Sequence, residues 1–288
     1  MRLAYETLTT RLREAGLSEG DVVMVQSSLK HIGPVAGKDT RESLVDFYYR
    51  AFRDVIGSKG TLVVHTPFED YGRIGTPFDV KHSPSTAGIL SEYVRTLTDT
   101  VRSPHPIVSV AANGPRAEEI CGGDHFEGFG WDSPWGRMHR MNAKFVTLGL
   151  GLAFGLSLLH YIEASYGVPY AYVKIFNTPV SRGGDLINGL FTMSVRYLNF
   201  GIRYDYRRYE QYMLTNDLAH SFNFERGLLF QITDGENAFN GGVECLRKNR
   251  YTFLDNPPRF RQGEIPYDGQ TGSMDRSSKP EPIGVAPL

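Results

Sequence analysis

At 288 residues the chain is long for one α/β domain but within range, and its 41% hydrophobic and 22% charged content is ordinary for a soluble enzyme. A formal net charge of −1, with acids and bases scattered throughout, argues against nucleic acid or a membrane surface as the main partner. Cys121 and Cys245 form no CxxC pair and have no histidines at ligand spacing, which argues against a zinc site and fits buried free thiols.

The N-terminal MRLAYETLTTRLREAG has the pattern of an amphipathic helix rather than a signal peptide, and no apolar run approaches the roughly 20 residues that span a bilayer. A cytoplasmic enzyme of small molecules is therefore expected. Residues 22–28 read as a buried strand, and 41–55 as a helix capped by Thr40 and ended by Gly57. Between them lies IGPVAGKDT, which is not a phosphate-binding P-loop. Three residues, not four, separate Gly33 from Gly37, and Asp39 stands where a magnesium-binding hydroxyl would follow Lys38.

Strand and helix then alternate: TLVVHTPF, AGILSEYVRTL, PIVSVAANG, residues 116–121, KFVTLGL, and a helix over 157–166 stopped by Gly167 and Pro169. AYVKIFN reads as a further strand. Residues from about 181 to 223, rich in Tyr, Arg and Asn, read as an insertion or cap. GLLFQITDGENAFNGGVECLRKN returns to strand and helix. The expectation is one layered α/β domain over 1–254 with an extended or partly disordered tail over 255–288.

In an open α/β sheet ligands gather at the carboxyl ends of strands, which selects Ser27 and Ser28, His65 and Thr66, and the turn Gly149-Leu-Gly151. The sharpest local signal is LLHYIEASYG. On a helix, His160 and Glu163 share a side, so a carboxylate can fix one imidazole nitrogen and leave the other as a general base. Such pairs are also common on exposed helices; the Gly-rich strand end before this one favours chemistry. His105, between two prolines, is presented rigidly or serves as a turn histidine, and His65 before Pro67 poses the same choice. FGWDSPWGRM sets Asp132 beside Trp131, a wall-and-acid pairing suited to an amino sugar or, equally, a capped aromatic turn. No Gly-x-Ser-x-Gly elbow supports a serine nucleophile. Metal-dependent hydrolysis through His65, His105 and His160 is disfavoured for want of ligand spacing.

The ordered set VVMVQSSLKHIGPVAGKDT, GTLVVHTPF, PFD, RSPHPIVSVAANGP, GWDSPWGRM, AKFVTLGLG and LLHYIEASYGVPY resembles the aminoglycoside 3-N-acetyltransferase family over roughly residues 5–175. The resemblance implies a mixed-sheet α/β fold and an acyl-CoA-dependent N-acyltransferase without metal. It implies that His160 deprotonates the acceptor amine while Glu163 holds it. It assigns Ser27, Ser28, Lys30, Gly33, Val35, Thr66, Phe68, Ser103 and Ser109 to the CoA side, with Ser109 or Ser28 as a hydroxyl for the oxyanion. His65, His105, Trp131, Asp132, Arg203 and Arg207 are expected on the acceptor side.

Two departures from the family pattern shift the expected acceptor. The turn before the His-x-x-Glu helix is the apolar GLAFGLSLLH, where an Asp or Asn is common, and Arg203, Arg207 and Arg208 suit an anionic partner. A nucleotide-linked amino sugar of polysaccharide (O-antigen or capsule) biosynthesis is thus expected first. An aminoglycoside antibiotic and a non-catalytic CoA- or sugar-binding homologue are the alternatives, in a monomer or homodimer.

Overall fold

The run VVMVQS shows how the core is made: Val22 and Met24 pack into one apolar cluster, Val23 and Val25 into a second. A strand apolar on both faces needs cover on both faces. The computed structural model describes residues 2–38, 40–225 and 227–264. Asp39 and the tail from 265 to 288 lie outside the described residues.

The strands are β1 (Val22–Ser27), β2 (Thr61–His65), β3 (Phe78–Asp79), β4 (Thr100–Arg102), β5 (Val110–Asn113), β6 (Lys144–Leu148), β7 (Ala171–Phe176), β8 (Val180–Arg182), β9 (Asp185–Leu186), β10 (Phe191–Arg196), β11 (Ala219–Phe224) and β12 (Gly227–Asp234). The helices are α1 (Tyr5–Glu14), α2 (Arg41–Ile56), α3 (Glu69–Ile74), α4 (Ile89–Arg95), α5 (Ala117–Cys121), α6 (Pro134–Arg140), α7 (Leu152–Gly155), α8 (Leu158–Tyr166), α9 (Arg207–Thr215) and α10 (Gly235–Lys248). Seven strands form one sheet in the order β11-β12-β6-β1-β2-β5-β4. Its centre, β6-β1-β2, is parallel, and both flanks are antiparallel.

Helices α1, α2 and α4 cover one face through Leu8, Leu12, Phe47, Phe52 and Leu90; α5, α6, α8, α9 and α10 cover the other, with Ile120, Met138, Ile162, Met213 and Leu246 inside. Each fully buried Leu or Phe contributes roughly 1.5–3 kcal/mol. Thr40 caps α2 by accepting from the Ser43 amide at 3.1 Å, with the reciprocal bond present.

AYVKIFN is a strand, but not of the main sheet: among the described residues β7 pairs with β10 alone, and β3-β8-β9 form a third small sheet. The accessory part therefore starts at β7, ahead of the expected boundary near 181, and β11 already belongs to the main sheet. Residues 255–264 are docked rather than free. The Arg259 amide donates to the Phe200 carbonyl at 2.9 Å, and the rings of Phe200 and Phe260 lie 5.2 Å apart. Among the described residues no helix is long and apolar enough to cross a membrane.

Candidate active site

Helix α8 buries Leu158, Leu159, Tyr161 and Ile162 and ends at Gly167 in the left-handed region, φ 76°. That orientation turns His160 toward a cleft and Glu163 inward. His160 Nδ1 lies 2.9 Å from Glu163 Oε2; the imidazole is 36% exposed and the carboxylate 4%. A buried carboxylate is tolerated when its lone pairs are used. Tyr170 donates to Oε1 at 2.7 Å, and Tyr206 to Oε2 at 3.3 Å. Burial first, and the Glu163 charge second, push both phenols far above their ordinary range, so they stay protonated donors. The carboxylate fixes a proton on Nδ1, which leaves Nε2 to act as a base.

The approach to α8 is held by polar side chains from distant strands and from α9. Gln26 at the end of β1 donates to Ser157 Oγ at 2.6 Å and accepts the Ser157 amide at 2.9 Å. The first amides of α7 are satisfied by Gln231 (Leu152 N, 2.6 Å) and Glu210 (Ala153 N, 2.8 Å), which are themselves joined at 2.9 Å. Gly149 stands at φ +70°, and a Cβ there would sit 2.5 Å from the Ser28 carbonyl oxygen. Only glycine permits that close approach between the ends of β6 and β1.

The cleft has a volume of about 410 Å³. One wall comes from the main sheet and its loops (His65, Pro67, Ile107, Val108), the other from the accessory part (Met193, Ser194, Val195, Arg196, Tyr204), with Phe129, Ser157 and His160 between. Burial, followed by the charges of His160 and Arg102, pushes the His65 imidazole down to about 3. His65 is therefore neutral beside His160, and its Nε2 has no partner among the described residues. A larger recess of about 730 Å³ at the β4 edge is lined in part by Lys81, Arg95 and Glu118, with Arg95 ion-paired to Glu92 at 2.5 Å.

Of the residues expected on the CoA side, Ser27 and Ser28 are half-buried at the end of β1, Lys30 is exposed on a single 3-10 turn, and Gly33 turns the loop at φ +93°. Val35 belongs to the core, 2% exposed and bridged to Leu3, so its side chain is not open to the surface. Thr66, Ser103 and Ser109 are fully buried. Ser109 Oγ donates to the Thr66 carbonyl at 2.5 Å, and Ser103 Oγ accepts the Val110 amide at 3.0 Å. The Ser109 hydroxyl is thereby committed and not free for an oxyanion. Phe68 packs on Phe78, 5.9 Å between centroids.

On the acceptor side, His65 reaches the cleft and His105 does not: it is buried behind β10, with Nε2 at 3.0 Å from the Thr192 carbonyl. Trp131 and Asp132 lie at a neighbouring surface, Trp131 under the Arg140 guanidinium at 4.3 Å and Asp132 paired with Arg137 at 3.0 Å. Arg203 and Arg207 stand apart from the cleft in exposed ion pairs, with Asp255 at 2.8 Å and Asp205 at 2.6 Å. Short-range acids satisfy both, so neither is poised over the site.

The family model described as aminoglycoside 3-N-acetyltransferase matches residues 24–233. The chain belongs to the aminoglycoside 3-N-acetyltransferase family. It is with that family an N-acyltransferase. Aminoglycoside N(3)-acetyltransferase III of Salmonella sp. is 30% identical over 204 residues, 63% of this chain and 68% of the relative. Aminoglycoside N(3)-acetyltransferase VII of Streptomyces paromomycinus is 30% identical over 204 residues, 62% and 67%. In fold, the chain is similar to AAC-IIIb in a binary complex with CoASH, with TM-score 0.72 and 22% identity over 90% of this chain and 100% of the other. It is also similar to AAC-VIa bound to sisomicin, with TM-score 0.71 and 22% identity over 86% and 98%.

Sequence reasoning missed Tyr170, Tyr204 and Tyr206, although the tyrosine-rich composition was visible. It also missed Gln26, whose only signal is a polar residue ending the buried run VVMV, and Arg196, which lies inside the Tyr-, Arg- and Asn-rich stretch 181–223 that it singled out.

Proposed function

We propose that this protein transfers an acyl group from acyl-CoA to the primary amine of an amino-sugar acceptor, with His160 as the base. The observation that carries the reading is the His160–Glu163 pair, closed by Tyr170 and Tyr206 and opening on a cleft. Nε2 takes a proton from the acceptor amine, whose lone pair forms the C–N bond to the thioester carbon. The tetrahedral oxyanion collapses, the C–S bond breaks, and the imidazolium returns the proton to the leaving thiolate. Glu163 stabilises the imidazolium in between, and the tyrosines keep Glu163 from turning away. CoA and the acceptor are co-substrates, and no step calls for a metal.

The names of the relatives support aminoglycosides as the first acceptors to try. The nucleotide-linked sugar expected from sequence rested on the apolar turn before α8 and on Arg203, Arg207 and Arg208; Arg203 and Arg207 sit in surface ion pairs and Arg208 donates to the Leu254 carbonyl at 2.8 Å, which withdraws the support of the arginines. The test is release of free CoA, read with a thiol reagent, from acetyl-CoA offered with sisomicin and with simple amino sugars, and the product mass of each reaction. Release that requires both an amine and His160 supports the reading; none above thioester hydrolysis across the panel sinks it.

A further inference from the structure

The electrostatics of the cleft narrow the acceptor. Arg196, on β10, lines the wall opposite His65. Its guanidinium lies 5.4 Å over the Tyr204 ring and donates to the Ile202 carbonyl at 2.5 Å. Among the described residues no carboxylate forms an ion pair with it. The Tyr204 ring is itself 5.2 Å from the His160 ring, so one aromatic plate touches both the base and the cation. The carboxylate lining this cleft is Glu69, and it is already ion-paired with Arg73. Glu127 lies in an adjoining recess of about 370 Å³, beyond Phe129.

An amine attacks only when neutral, so its own charge needs no counter-ion at the moment of reaction. The remaining charges of an acceptor do. A polycation entering here meets one occupied carboxylate and a guanidinium that no carboxylate among the described residues neutralises, a like-charge contact that costs affinity. A phosphate or carboxylate on the acceptor meets the remaining donors of a guanidinium seated beside the Tyr204 ring.

We propose that Arg196 is the specificity-determining residue of the acceptor cleft, and that the acceptor is an amino sugar bearing one anionic substituent. The inference rests on the N-acyl transfer reading above and deepens it. Phosphate and carboxylate share the required chemistry, and the acceptors tested separate them.

The experiment measures kcat/KM with acetyl-CoA for glucosamine 6-phosphate, glucosaminuronic acid, glucosamine and sisomicin, in the wild type and in Arg196→Gln, Arg196→Lys and Arg196→Glu. The wild type is expected to prefer one of the two anionic acceptors over glucosamine by about tenfold or more, as a charged hydrogen bond allows. In Arg196→Gln that ratio falls about tenfold, Arg196→Lys keeps part of it, and Arg196→Glu moves preference toward sisomicin. Arg196→Lys, which preserves charge and stem, guards against a folding defect in the other two. A ratio unmoved by Arg196→Gln in a folded protein overturns the inference, as does a rise confined to the KM for acetyl-CoA. Sisomicin used best by the wild type, with His160 required, overturns this inference alone. No amine-dependent CoA release from any acceptor overturns the reading beneath it as well.

Discussion

Gln26 and Ser157 hold each other by two hydrogen bonds across 131 residues of sequence: the Gln26 amide donates to the Ser157 hydroxyl at 2.6 Å and its oxygen accepts the Ser157 amide at 2.9 Å. The pair ties the end of a central strand to the start of the helix that carries His160, and His160 N in turn bonds the Ser157 carbonyl at 3.1 Å. Gln26→Leu leaves both Ser157 groups unpaired in a half-buried place. Stability is expected to fall by about 1–3 kcal/mol, and kcat to fall more than KM rises. Thermal unfolding and steady-state kinetics on the same preparation check both.

Tyr170→Phe removes the donor to Glu163 Oε1 but keeps the ring in the core. The carboxylate then relies on Tyr206 alone for its phenolic support, and His160 loses orientation. We expect kcat to drop about tenfold with KM nearly unchanged, since the lost bond matters most when the imidazolium forms. A KM effect larger than the kcat effect would count against this placement.

Gly149→Ala puts a methyl 2.5 Å from the Ser28 carbonyl in a left-handed backbone. The expected cost is about 2 kcal/mol or more, read as a shift of the unfolding midpoint. Gly33→Ala, also at positive φ but with nothing within 4 Å of the added methyl, is expected to cost less.

Stability should rise with pH through the weakly acidic range. Burial pushes His65 and His105 down to about 3 and His125 to about 4. An unfolded histidine binds a proton near pH 6.5. Between those values the unfolded chain holds protons that the folded chain does not, so the contribution is full above pH 6.5 and is lost as pH falls toward 3–4. Denaturant melts at pH 7.5 and pH 5 are expected to show the lower midpoint at pH 5. His125→Gln, which removes one of the three groups, should narrow the gap.

The alternating elements, the Thr40 cap and the His160–Glu163 spacing were legible because each is a local pattern. The accessory part was not: β7 has strand composition, and nothing in AYVKIFN tells that its partner is β10 rather than the main sheet. The site was legible where one helix carries two groups, and illegible where the chain closes over long distances. Tyr170 and Tyr206 reach the same carboxylate from different segments, and Gln26 meets Ser157 only after the sheet forms. Arg203 and Arg207 misled because an arginine's partner is invisible in sequence; Asp255 and Asp205 take them up at the surface.

The most direct test of the account is the turnover number of His160→Ala beside wild type, with acetyl-CoA, the acceptor the wild type uses best, and thermal unfolding to show that the variant is folded. The account predicts a fall in kcat of about 100- to 10,000-fold, the range general-base catalysis supplies, with the unfolding midpoint close to that of the wild type. A folded His160→Ala that turns over within a few-fold of the wild type would contradict it.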